Sequence, residues 1–395
     1  MIKNRSFICF GEDISHTPLS RFHIMKRLAR FNKVLYVESI GMRRPEASSG
    51  DVKRVASKVR RWLRGCRRLQ DSFFVLSLFV VPFHEIRFVR RLNGLLLRFQ
   101  LSYWKLKLGL ENLIIWIGPP TARPIVGSLD EELLIYHCTD KYPEYVPPER
   151  KPVVSALHKE MLVAADLTLA PSKVLCEELR EYARNCGHLP HGVDYDHFAS
   201  AQNSDLGVPD EVAGLPRPVI GFFGTIDSHW IDFELMKLVA ASRPDWSFLF
   251  IGPVRDLPEA ELVAELENVR FLGPKPYSEL PAYSKAFDVC IVPKVRTPLT
   301  EASSPLKIWE YLATGKPVVS TLKPDNRLGD LVYVAETHED FIHAIEESMA
   351  NDSPARKMDR MNRVQEHSWD SRVELLSDML EWALERKESE AEANA

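Results

Sequence analysis

The chain has 395 residues, 45% hydrophobic and 27% charged, an ordinary globular composition that is too long for one comfortable hydrophobic core, so two domains are expected. Its six cysteines, Cys9, Cys66, Cys138, Cys176, Cys186 and Cys290, show no paired short spacing, which speaks against a zinc knuckle or a disulfide framework and fits a reduced compartment. The net charge of −4 is unevenly spread, because residues 1–110 hold 23 Lys and Arg against 7 Asp and Glu.

Apolar runs of strand length alternate with helical patterns, the signature of an α/β protein with parallel sheets covered by helices. The first run, Ser6 to Phe10, has Gly11 directly behind it and is too short for a signal peptide, so a cytoplasmic protein is expected. The loop after it carries Asp13, His16, Thr17 and Arg21. Lys33 to Val37 is the next strand. From Lys53 to Arg68, eight basic residues interleave with Val55, Val59, Trp62 and Leu63. This basic amphipathic stretch is either a solvated helix face or an attachment to an anionic membrane surface or acceptor. No nucleic-acid recognition motif accompanies it. Phe73 to Phe79 reads as a buried strand, since the apolar segment Phe73 to Phe83 has only about half the ~20 residues of a membrane span and Pro82 interrupts it.

Strands continue at Leu113 to Ile117, Leu133 to Tyr136 and Leu167 to Ala170. The second of these runs into His137, Cys138, Thr139 and Asp140, at the strand end where α/β sheets place ligands. Asp140 is there either as a catalytic base or as a helix cap. His137 and Cys138 lack the second pair of ligands that a metal site would need. Ala199 to Pro216, rich in Gly, Pro, Asn and Ser, reads as a linker between a first domain, 1–198, and a second, 217–368.

The second domain shows strands at Val219 to Phe223, Ser247 to Ile251, Val269 to Phe271, Val289 to Val292, Val318 to Ser320 and Leu331 to Val334. Helices are expected over Asp232 to Ser242, Glu259 to Leu266 and Pro305 to Thr314. Gly221 to Thr225 opens the first turn, where Gly224 lets backbone approach a ligand. Gly273, Lys275 and Tyr277 follow another strand end. Ser304 suits a helix cap, Pro305 the first helical position, and Gly315 ends the helix. Lys307 in its first turn opposes the helix dipole unless an anion answers both, and Glu310, one turn deeper on the same face, can accept two hydroxyl hydrogens. Such a pair suits a phosphate and a ribose diol; the plainer alternative is a surface Lys–Glu pair. Trp369 to Glu388 is a terminal helix, and 389–395 reads as a disordered tail.

Pro305 to Val319 resembles the donor-binding segment of bacterial glycosyltransferases with the two-domain GT-B architecture. Ala164 to Ser172, Leu189 to Phe198, Val269 to Gly273 and Phe287 to Pro293 match further elements of that family. The resemblance implies two Rossmann-like domains, with the acceptor on the first and the donor on the second, and a terminal helix crossing back to the first domain. It implies transfer from a nucleotide diphosphate sugar, a UDP-sugar, to a glycan or polyprenyl-linked acceptor in cell-surface polysaccharide synthesis, with no metal or cofactor and no nucleic-acid partner. Implied donor contacts are Gly224, Thr225, Gly273, Lys275, Tyr277, Ser303, Ser304, Leu306, Lys307 and Glu310. Many retaining relatives carry two glutamates eight positions apart here; in this chain Glu310 is the second, and the first position is Ala302. The pattern is closer to inverting relatives such as the xanthan glucuronosyltransferase, which makes Asp140 the expected base and His16 and Asp13 its rivals, with Thr17 and Arg21 on the acceptor side. The alternatives are a retaining transferase, a nucleotide-sugar epimerase on the same fold, and a non-catalytic partner of an assembly complex. Peripheral placement on the inner face of the plasma membrane is expected through residues 53–68.

Overall fold

A computed structural model describes residues 1–14, 18–39, 60–81, 86–255, 257–301, 306–324 and 326–393. The chain divides into two compact units, Met1–Pro190 with Arg372–Ala395, and His191–Ser371.

The first unit is built on eight strands: β1 Ser6–Phe10, β2 Lys33–Val37, β3 Arg67–Gln70, β4 Phe73–Leu76, β5 Leu113–Ile117, β6 Leu133–His137, β7 Leu167–Ala170 and β8 Cys186–His188. Their order is β3-β4-β2-β1-β5-β6-β7-β8, parallel except for β3 against β4. Every residue of β1, β5, β6 and β7 is buried, as expected of strands covered on both faces, and this is why they read as unbroken apolar runs. The order reverses between β1 and β5, so their carboxyl ends flank a natural crevice.

The strand expected over 73–79 stops at Leu76. Beyond it, Val81 exchanges two 2.8 Å hydrogen bonds with the Asn93 amide and Phe79 two of 3.0 Å with Gln100, so side chains of the helix Arg87–Leu108 replace a neighbouring strand. Of the basic stretch 53–68, residues 53–59 lie outside the described ones, residues 60–63 are helical, and Arg67 and Arg68 lie on the exposed edge strand β3.

The second unit carries β9 Val219–Phe223, β10 Ser247–Ile251, β11 Val269–Phe271, β12 Val289–Val292, β13 Val318–Ser320 and β14 Val332–Val334. All pair in parallel in the order β11-β10-β9-β12-β13-β14, the Rossmann order, with its switch point between β9 and β12. The segment 199–216 is not a free linker. The division falls between Pro190 and His191; just ahead of the segment the Phe198 ring stacks on Phe223 at 5.7 Å, and within it Ala201 and Val212 are buried, Val212 in the second unit's core. The Gly and Pro residues there shape turns on a packed segment.

The terminal helix spans Trp369–Ala393, and from Arg372 onward it belongs to the first unit. Residues 389–393, expected to be disordered, continue the helix, with Arg386 and Glu390 paired at 3.0 Å across one turn.

Candidate functional site

In the second unit three strand ends meet in glycines. Gly224 follows β9 at φ +149, Gly252 follows β10 at φ +143 and Gly273 follows β11 at φ +67, conformations that favour glycine. Gly224 N–H donates to the Ile251 carbonyl at 2.7 Å, and Gly252 N–H to that of Gly273 at 2.9 Å, which ties the three turns together. A Cβ on Gly252 would overlap the Gly224 carbonyl.

The helix Leu306–Ala313 lies beside this row, anchored by buried Ile308, Trp309, Tyr311 and Leu312. The Tyr311 hydroxyl accepts from Phe223 N–H at 2.8 Å, so the helix clamps β9 immediately before Gly224. A Cβ on Gly224 would overlap Cε of Lys307 and lie 2.8 Å from its Nζ. Lys307 thus rests on the bare backbone of Gly224, with half-buried Thr225 next to it. Burial pushes the Lys307 ammonium below its usual range, and Glu310 works against that shift.

Glu310 is buried, and burial lifts its carboxyl to about 7, with Lys307 pulling it down and Asp194 pushing it up. An unfolded glutamate ionises near ~4.3. Between that value and about 7 the folded chain keeps a proton that the unfolded chain has released, so stability falls as pH rises through this window and levels off above it. The effect is on the order of 3–4 kcal/mol. The midpoint of thermal unfolding is expected to decline from pH 5 to pH 7.5, and Glu310→Gln to remove that part of the decline. A variant that tracks the parent across the range would refute the assignment.

Lys275 and Tyr277 stand differently. The Lys275 ammonium pairs with Glu211 at 2.5 Å and lies over the Tyr283 ring at 5.3 Å. Tyr277 stacks on His197 with ring centres 4.4 Å apart, and its carbonyl is 2.9 Å from His197 Nε2. Both side chains fasten the segment 191–216 to the unit. Leu306 is half-buried at the helix start, and Ser303 and Ser304 lie outside the described residues. Gly252, Tyr311 and Asp194 join the site without having been singled out in the sequence.

In the first unit the crevice between β1 and β5 is filled by Arg21, which is buried. A Cβ on Gly118 would lie 2.8 Å from Nη1 of Arg21, so glycine there makes the room. Arg21 donates to the His137 carbonyl at 3.1 Å and the Tyr142 hydroxyl at 3.2 Å, and pairs with Glu12. Asp13 pairs with Arg61 at 3.0 Å. His16 and Thr17 lie outside the described residues. Asp140 is half-buried in the turn after β6, its carbonyl accepting from Tyr142 N–H at 2.9 Å and from the Cys138 thiol at 3.3 Å. Burial, reinforced by Asp140, pushes the Cys138 thiol up to about 12, so it stays protonated. Among the described residues no group of His, Cys, Asp and Glu could hold a metal ion.

Residues 217–351 match the model of the glycosyl transferases group 1 family. A Bacillus subtilis (strain 168) protein named as a glycosyltransferase of teichuronic acid biosynthesis is 35% identical over 191 residues, 46% of this chain and 47% of that protein, so the match spans about half of each. Sucrose-phosphate synthase from Thermosynechococcus elongatus has the same fold, with a TM-score of 0.68 at 16% identity over 96% of this chain and 99% of that one. Anabaena HepE, solved in complex with UDP and glucose, gives 0.62 at 14% identity over 96% and 100%. The chain has the GT-B fold, and its residues 217–351 match the glycosyl transferases group 1 model.

Proposed function

We propose that the protein is a glycosyltransferase that moves a sugar from a UDP-sugar to a glycan or polyprenyl-linked acceptor in cell-surface polysaccharide synthesis. The observation that carries this reading is Lys307 resting on Gly224, with Glu310 one helical turn on. A bare glycine backbone beside a cation suits a diphosphate, and a carboxylate suits the ribose hydroxyl pair. Lys307 would answer the charge that develops on the leaving diphosphate, which lets the reaction run without a metal or a cofactor. The UDP bound to the Anabaena structure and the name of the Bacillus relative support the donor class and the pathway class.

For the acceptor hydroxyl, we assign Asp140 of the first unit as base in an inverting transfer; Ala302 at the position where retaining relatives carry a glutamate favours this route. The retaining alternative keeps one observation in its favour, Glu301 beside Ala302. The anomeric configuration of the product, read by NMR, separates the two.

Thermal-shift measurement against nucleotide diphosphates and nucleotide sugars tests the donor assignment. UDP and UDP-sugars are expected to stabilise the chain by about 2.7 kcal/mol at 100 times their dissociation constant. The shift is expected to vanish in Gly224→Ala, whose methyl would displace Lys307. No shift with any nucleotide would sink the reading. Binding without release of sugar from labelled donor, with or without acceptor, would point instead to a non-catalytic partner.

A further inference from the structure

We propose that the first unit docks on an anionic lipid bilayer through the outer face of the helix Arg87–Leu108, whose apolar side chains enter the headgroup boundary. The proposal gives peripheral attachment a surface and stands whatever reaction the second unit supports. The helix packs Asn93, Leu97 and Leu101 inward, all buried. A surface helix of this kind normally turns a polar face to water. Here the opposite face carries Phe88, Leu95, Phe99 and Leu106, exposed by 74%, 67%, 76% and 84%. Their spacing sets them in one line along the helix. Tyr103 is exposed beside them.

The apolar line does not end with the helix. Phe79 is tied to Gln100 by two hydrogen bonds, and its ring lies 5.3 Å from that of Trp62; both rings and Leu63 are exposed. Exposed apolar side chains grouped on one helix face, with more on the segment next to it, mark an interaction surface.

Charge identifies the occupant. Arg91, Arg98 and Lys107 are exposed on the same helix, and Arg60, Arg64, Arg67 and Arg68 on the segment that carries Trp62 and Leu63. Within 60–81 and 86–110 the acidic residue is Asp71, held by Arg68 at 2.7 Å, and Asp130 stands 3.7 Å from Lys105 near the helix's end. A twofold contact with a second copy would set these arginines against their own equivalents, which opposes self-association. An anionic bilayer answers both features at once, with acyl chains for the phenylalanines and leucines and negative headgroups for the arginines. Among the described residues no helix is long and apolar enough to cross a membrane, so the contact lies in the interface plane.

The surface also predicts a salt response that basic residues alone would not give. Attraction between exposed charges is screened by salt, whereas buried apolar side chains hold on. The test is sedimentation of the full chain with vesicles of phosphatidylcholine, alone or mixed with phosphatidylglycerol, at low salt and at ~1 M NaCl. The parent is expected to bind the mixed vesicles at least about tenfold better than phosphatidylcholine alone, and to keep a salt-resistant fraction. F88S/L95S/F99S/L106S is expected to lose that fraction and about tenfold or more of the total binding. An unchanged unfolding midpoint shows that it is folded, and the milder F99S/L106S stands in if it is not. Three results would overturn the proposal: no binding of the parent to mixed vesicles, equal binding by parent and variant, or a parent dimer that the variant converts to monomer without any vesicle binding. The UDP-induced thermal shift, measured on the same samples, reports the donor site separately and is expected to be the same in parent and variant.

Discussion

Asp140→Asn is expected to lower turnover by about 10²–10⁴-fold at saturating donor, the range supplied by a positioned general base. Asparagine keeps the size of the side chain and removes its ability to take a proton. The backbone bonds that shape this turn, from Tyr142 N–H and the Cys138 thiol to the Asp140 carbonyl, are made by the main chain and survive the change. Donor affinity, which the proposed assignment places on the second unit, is expected to stay within about twofold. That combination, lost turnover with retained donor binding, separates a base from a residue needed for folding. Turnover within tenfold of the parent would discard Asp140. His16→Ala, made in parallel, is then the variant that should be inactive. A product that retains the donor's anomeric configuration would discard the inverting route altogether, whatever Asp140 does.

Lys307→Ala is the second large effect. An electrostatic group aimed at charge developing in the transition state is worth about 10²–10³ in kcat. Lys307 is half-buried on Gly224, and burial already pushes its ammonium below the usual range, so a diphosphate arriving there would restore the charge that burial disfavours. Loss of the cation also leaves Glu310 without the neighbour that pulls its carboxyl down, so the carboxyl is expected to titrate above about 7 in the variant. Steady-state kinetics with donor varied would check the first point, and the pH dependence of thermal stability the second. Lys307→Arg is not a conservative rescue, since Cε already lies where a Gly224 Cβ would stand and a guanidinium is broader. A kcat for Lys307→Ala within tenfold of the parent would remove Lys307 from the leaving-group role.

Much of this arrangement was legible in the sequence, for a specific reason. Strands of a parallel sheet covered on both sides are unbroken apolar runs, and β1, β2, β5, β7, β9, β10, β12 and β13 fall where those runs lie. The two edge strands of the first unit lack that mark. β3 is Arg-Arg-Leu-Gln and β8 is Cys-Gly-His, and neither carries an apolar run to read. The segment 199–216 was misread because glycine and proline signal turns, and turns do not say whether a segment packs. Ala201 is buried, and so is Val212, in one core with Phe223 and Tyr311, which decides that it does. At the site, Lys307, Glu310 and Gly224 could be grouped from their positions relative to strand and helix ends. Gly252 and Tyr311 could not, since a glycine that touches Gly224 and a hydroxyl that clamps β9 acquire their roles only once the strands are side by side.

The terminal helix has a consequence for biosynthesis. Leu376 and Leu380 are buried, a Cβ on Gly187 would lie 3.3 Å from the Met379 sulfur, and Lys387 pairs at 2.7 Å with Asp166, which in turn accepts from Leu134 N–H at 2.7 Å. The β6 to β8 side of the first unit is therefore completed by residues that the ribosome makes after the whole second unit. At about 5–20 residues per second, the first unit waits roughly ten to forty seconds with that flank uncovered. A nascent chain stalled anywhere between Pro190 and Arg372 would present this open edge to chaperones, and release of the last helix is the event that closes it.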